Sequence, residues 1–100
     1  MSETKLRIEI GRYLEGLRRR GMMIYWLKTV GSSMQRAGTP DWHITFGGHS
    51  LWLEAKAKDG VVSPLQENEM AKWKKAGATV AVVRSVDDVK KALGLQDEDI

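Results

Sequence analysis

Two carboxylates and an ammonium stand on segments that the sequence folds toward one another. Asp41 follows Pro40, and one residue separates Glu54 from Lys56. Carboxylate oxygens are hard ligands that suit Mg²⁺, an ion that takes one or two of them and keeps several waters. An ion held in this way orients a water, lowers its pKa and offsets charge developing on a phosphate. A nearby lysine can deprotonate or position that water, or stabilise a pentavalent transition state. These residue types therefore point to hydrolysis of a phosphate ester. The competing reading is a cross-strand salt bridge from Asp41 to Lys56, with Glu54 merely solvated.

Whether these side chains meet depends on a hairpin. Residues 41–46 and 51–57 read as strands around Gly47-Gly48-His49-Ser50. A two-residue turn at Gly48-His49 pairs Gly47 with Ser50, and a four-residue turn pairs Phe46 with Leu51. Either predicts Asp41 opposite Lys56 and His43 opposite Glu54. Directly opposed residues share a sheet face, so all four are expected together, with Leu51, Leu53 and Ala55 on the other, core-facing side. A histidine alone on a strand is more often packed or solvated than functional, and His43 carries both readings.

The remaining elements frame this hairpin. Leu6, Ile10, Tyr13, Leu14 and Leu17 recur at helical spacing over residues 4–20, and Gly21 follows as a stop. Residues 22–29 read as a strand and residues 30–40 as a loop. Ser63, Pro64 and Gln66 suit the N-cap, N1 and N3 positions of a helix that runs to about Ala76. Residues 78–84 form a nearly continuous apolar strand, as in a sheet interior. Ser85 caps a last helix that Gly94 closes. The fold class expected is α/β, an αβββαβ core in which helices flank a mixed four-stranded sheet. The segment joining the third strand to the fourth is a helix, so those two strands should be parallel. One domain is expected across residues 1–100, with an acidic tail at about 96–100.

Composition narrows the partners. The chain has no cysteine, which excludes disulfides and thiolate metal sites. No apolar run approaches the roughly 18 residues of a membrane span, and the N-terminus lacks a signal-peptide core, so an intracellular, cytoplasmic protein is expected. A net charge of +3, despite the acidic tail, leaves a basic body with clusters at Arg18-Arg19-Arg20 and at Lys72, Lys74 and Lys75. Such a body suits a polyanion, although solvated lysines and arginines are also ordinary. Trp26, Trp42, Trp52 and Trp73 could stack on bases, with buried core the commoner fate. The unbroken run Met22–Leu27 must bury both strand faces, and an edge strand can leave one bare for a second copy of the chain.

Pro40-Asp41, the hairpin and Glu54-Ala55-Lys56 together resemble the PD…ExK signature of the restriction-endonuclease-like superfamily. Pro64-Leu65-Gln66 opening the next helix resembles the VRR-NUC (virus-type replication-repair nuclease) family within it, and the likeness spans about residues 3–90. It implies a Mg²⁺- or Mn²⁺-dependent DNA endonuclease, intracellular in a phage or its bacterial host. Asp41 and Glu54 would hold metal, with the Ala55 carbonyl, and Lys56 would serve the attacking water. Gln66 would sit beside that lysine, although a capping box with Ser63 explains it without catalysis. A first-helix glutamate would complete the site. Of Glu3, Glu9 and Glu15, Glu9 is the choice, on the border of the apolar stripe. Arg18, Arg19, Arg20, Arg36 and Lys58 would hold phosphates. Stand-alone family members are similar to Holliday junction resolvases, which implies branched DNA, a role in repair and a homodimer that supplies two active sites. The alternative is a nucleic-acid-binding module that keeps the fold without catalysis.

Overall fold

The computed structural model describes residues 2–29 and 36–96. Its elements run α1 (Glu3–Arg19), β1 (Ile24–Lys28), β2 (Trp42–Phe46), β3 (His49–Ala55), α2 (Pro64–Lys75), β4 (Thr79–Val83) and α3 (Val86–Ala92). The expected αβββαβα order and α/β class are what is found. Val30 to Gln35 and Asp97 to Ile100, which include most of the loop before Pro40 and nearly all of the acidic tail, lie outside the described residues.

Caps fix the helix ends. The Ser2 hydroxyl accepts from the Lys5 amide at 3.1 Å, which lets α1 begin at Glu3. Ser63 and Gln66 exchange the two bonds of a capping box, and Ser85 accepts from the Asp88 amide.

The strands lie in the order β1-β2-β3-β4, with the first two pairings antiparallel and β3-β4 parallel. The hairpin register corrects the sequence expectation. Phe46 pairs with His49, His43 with Trp52 and Trp42 with Leu53, so the turn residues are Gly47 and Gly48. Both have positive φ, 60° and 83°. A two-residue turn of this hand needs φ > 0 at both positions, which His49 would resist. The slip is two residues, and a strand has period two, so each side chain keeps its expected face. One step beyond the ladder, Asp41 lies opposite Glu54 rather than Lys56.

One face of the sheet is dry. Leu6, Ile10, Leu14 and Leu17 of α1 pack with Val89 of α3 on Trp42, Ile44, Leu53, Ala55 and Val83. Full burial of each large apolar side chain stabilises by about 1.5–3 kcal/mol. The other face carries α2, and its β1 end is bare: Met23, Tyr25 and Leu27 are 87%, 81% and 63% exposed. A second correction concerns β4, which is an edge strand rather than an interior one, with Val82 partly exposed. Its continuous apolar run reflects partial cover from α2 and α3, one on each side.

Candidate active site

The site forms where β2 begins and β3 ends, between the first turns of α1 and α2. Both helices direct the positive ends of their dipoles there, which favours the negative charge gathered at that point. The Pro40-Asp41 segment is clamped from two sides. Thr29 donates its hydroxyl to the Pro40 and Asp41 carbonyls, and its amide to the Asp41 carbonyl at 2.7 Å. On the other side Gly38, at φ +84°, lies so close to α2 that an added Cβ would come within 2.8 Å of the Leu65 carbonyl oxygen. No other residue type permits that approach without a shift in backbone.

Asp41, Glu54 and Lys56 are all buried, at 5%, 1% and 9% exposure. Asp41 Oδ2 accepts the Ala55 amide at 2.9 Å and the Arg7 Nε at 3.3 Å. Glu54 Oε2 accepts from Gln66 Nε2 at 2.9 Å. Gln66 Oε1 meanwhile accepts the Ser63 amide at 3.0 Å, so the glutamine caps α2 and holds Glu54 at once. The two readings of Gln66 are therefore compatible. Lys56 Nζ lies 3.7 Å from Glu3 Oε1, and Glu3 also meets Arg7 at 3.4 Å.

Glu54 Oε1 is buried and has no hydrogen-bond partner among the described residues. Burial first, then the charge of Asp41, pushes this carboxyl up to about 7, against the opposite pull of Lys56 and Arg7. A buried carboxylate with one bare oxygen and a second carboxylate opposite is destabilised when ionised. A cation at that oxygen would remove the penalty, so the donor set fits a hard divalent ion. The fit is of the open kind. Among the described residues, no three His, Asp or Glu side chains converge as a ready-made metal cage. Mg²⁺ needs fewer, because waters and substrate phosphates complete its shell.

Of the first-helix glutamates, Glu9 is exposed, and Glu3 is the one whose carboxylate lies near Lys56. At 100° per residue Glu3 and Arg7 share one border of the α1 stripe and Glu9 lies on the other. The site faces the first border, and the Ser2 cap keeps Glu3 inside the helix rather than in a frayed end. Arg7 was not anticipated. Its signal was the i,i+4 spacing from Glu3 beside buried Leu6.

The phosphate-binding candidates scatter. Arg18 and Arg19 pair with Glu15, and from Arg7 to Arg18 the helix rises about 16 Å. Arg20 closes that remote helix end, exposed. Arg36 lies 3.5 Å from Glu69, a buried carboxylate that also accepts the Trp73 indole N–H at 3.1 Å. Glu69 is thus a partner of both Arg36 and Trp73. Lys58 is exposed in the loop just past Lys56, and Arg84 Nη1 ties that loop down through the carbonyls of Ala57, Lys58 and Gly60. The His43 ring stacks on Trp52, with centroids 4.5 Å apart and planes 18° apart.

No family model and no curated protein matches this sequence. A solved structure does, one described as a VRR_NUC domain, at 24% identity and a TM-score of 0.69. The match covers 94% of this chain and 97% of the other. The chain therefore has the fold of a VRR_NUC domain.

Proposed function

We propose that the protein is a metal-dependent nuclease that hydrolyses DNA phosphodiesters at Asp41, Glu54 and Lys56. The observation that carries the reading is the bare, buried Oε1 of Glu54 opposite a second carboxylate and beside a lysine. Asp41 and Glu54, with the Ala55 carbonyl, would hold Mg²⁺ or Mn²⁺. Bound there, the ion supplies Lewis-acid stabilisation of phosphate charge and a more acidic water.

The chain's own residues do the rest. Gln66 fixes Glu54 through Oε2 and leaves Oε1 for the site. Lys56, oriented by Glu3, positions the attacking water and offsets charge on the pentavalent phosphorus. Arg7 balances Asp41 and stands ready for a phosphate oxygen. Lys58 extends the phosphate track from the site, and exposed Arg18, Arg19 and Arg20 lie about five stacked-base steps away along α1. A branched, junction-like substrate cut twice requires two sites, which suits a homodimer in an intracellular repair role.

The test is incubation with linear, flap and four-way DNA in Mg²⁺ and in Mn²⁺. Cleavage lost with chelator, and lost in Lys56→Ala while DNA binding persists, supports the reading. A second reading rests on Arg7, which already occupies an Asp41 oxygen: a nucleic-acid-binding module without chemistry. That module would bind DNA in a salt-dependent way and leave every substrate intact in Mn²⁺.

A further inference from the structure

The bare half of the α2-side face continues directly from the carboxylates. The β1-β2-β3 register sets Leu27, His43 and Trp52 in one row across the sheet. His43 is two residues past Asp41 on β2, and Trp52 is two residues before Glu54 on β3. Two residues of strand span about 6.7 Å. Bases in a stacked strand are about 3.4 Å apart. A strand with its scissile phosphate at the carboxylates would therefore bring a base over this row one to two nucleotides away.

Two of the row's three members are rings, both half-buried, and the third is the exposed Leu27. His43 stacks on Trp52, and Trp52 meets Trp73 of α2 with centroids 4.9 Å apart. Glu69 holds Trp73 through the indole N–H and pairs with Arg36, whose side chain is 71% exposed at that flank. Tyr25, Thr45 and Ser50 form the next row. Neither row contains a carboxylate, so nothing on it repels a polyanion. Every base offers a π-face, but a duplex keeps those faces stacked internally, so only unpaired bases can use such a surface.

We propose that the Leu27–His43–Trp52 row is a stacking platform for unpaired bases next to the cut, which makes DNA with a single-stranded segment the substrate class. The proposal rests on the nuclease reading for its purpose and on the aromatic row for its chemistry. A second copy of the chain is the other candidate for this face, but seated there it would cover the row adjoining Asp41 and Glu54 and hinder approach to them.

The experiment is binding without cleavage, in chelator, with short oligonucleotides carrying 2-aminopurine. The wild-type protein should quench 2-aminopurine in single strands and bind them about ten-fold tighter than His43→Ala does. His43→Phe should retain the quenching. An abasic nucleotide at the stacking position should cost the wild type the same factor and cost His43→Ala nothing, a comparison that does not depend on how any other variant folds. Equal affinity for single strand and duplex with no quenching overturns the proposal. So does a Tyr25→Asp/Leu27→Asp variant that turns a dimer into a monomer with quenching unchanged, which would assign the face to a second copy. Because the readout needs no metal, a failure to cleave leaves it intact, and cleavage without quenching sinks the platform alone.

Discussion

The two faces of the sheet are built on opposite principles. The α1/α3 face is closed and apolar: Leu6, Ile10, Leu14, Trp42, Ile44 and Leu53 are all at most 1% exposed. The α2 face and the sheet end beside it hold the charges: Asp41, Glu54 and Lys56 with Gln66, Arg7 and Glu3 around them. Buried ionisable groups weaken a fold unless paired, and Glu54 Oε1 has no partner among the described residues. The dry face stabilises enough for the other to carry an unfavourable arrangement. The site should therefore be improvable for stability at the expense of function, and the dry face should not.

Leu53→Ala should break the dry side hardest, with a loss of about 2–5 kcal/mol in urea unfolding, because the cavity opens in the middle of the core. Glu54→Gln should sharpen the contrast from the other side. It keeps the shape and removes the buried charge, so cleavage should fall at least about 100-fold while the metal-free protein gains stability near pH 8. A loss of stability at that pH would mean that Glu54 is paired in some way the geometry does not contain.

The same carboxyl sets a pH dependence. Its folded value, about 7, lies above the ordinary 4.5. A raised value means that the folded state binds the proton more tightly than the unfolded chain. The contribution is present in full below about pH 4.5 and is lost as pH rises through 7, a difference of about 3 kcal/mol. Metal-free wild type should therefore melt lower at pH 8 than at pH 5 by more than Glu54→Gln does. Parallel melting profiles for the two proteins would contradict the assignment.

Smaller effects should follow at the supports. Gly38→Ala forces a backbone shift against Leu65 and should cost about 1–3 kcal/mol, measured by thermal melting, with a matching fall in activity as Asp41 moves. Gln66→Ala removes both a cap and the hold on Glu54, so it should lower stability by about 1 kcal/mol and reduce turnover more than substrate affinity. Gln66→Ala with turnover unchanged would leave the residue as a cap alone.

The contrast between the faces also explains what the sequence made legible. Periodicity reported the dry face well, because apolar stripes at Leu6–Leu17 and Leu51–Ala55 follow from burial alone. The shared face of Asp41, Glu54 and Lys56 was legible through parity, which survived a two-residue error in register. Turn chemistry caused that error: both central positions require glycine, and the sequence holds two in a row at Gly47-Gly48. Glu3 and Arg7 were harder to find, since their importance depends on which border of α1 meets the end of the sheet, and no local pattern encodes that. The place of β4 at an edge was hidden for a related reason, because cover from helices above and below produces the same apolar run as an interior strand.

The most direct test of the Asp41–Glu54 site is calorimetric titration of Mn²⁺ into the metal-free protein near pH 6.5, repeated in buffers of different ionisation enthalpy. Glu54, with its carboxyl near 7, would be largely protonated there, and a metal ligand must be ionised. The account predicts that binding releases between about half a proton and one proton, and that Glu54→Gln abolishes both the release and most of the affinity. Equal Mn²⁺ affinity in wild type and Glu54→Gln, with no proton released by either, would contradict it.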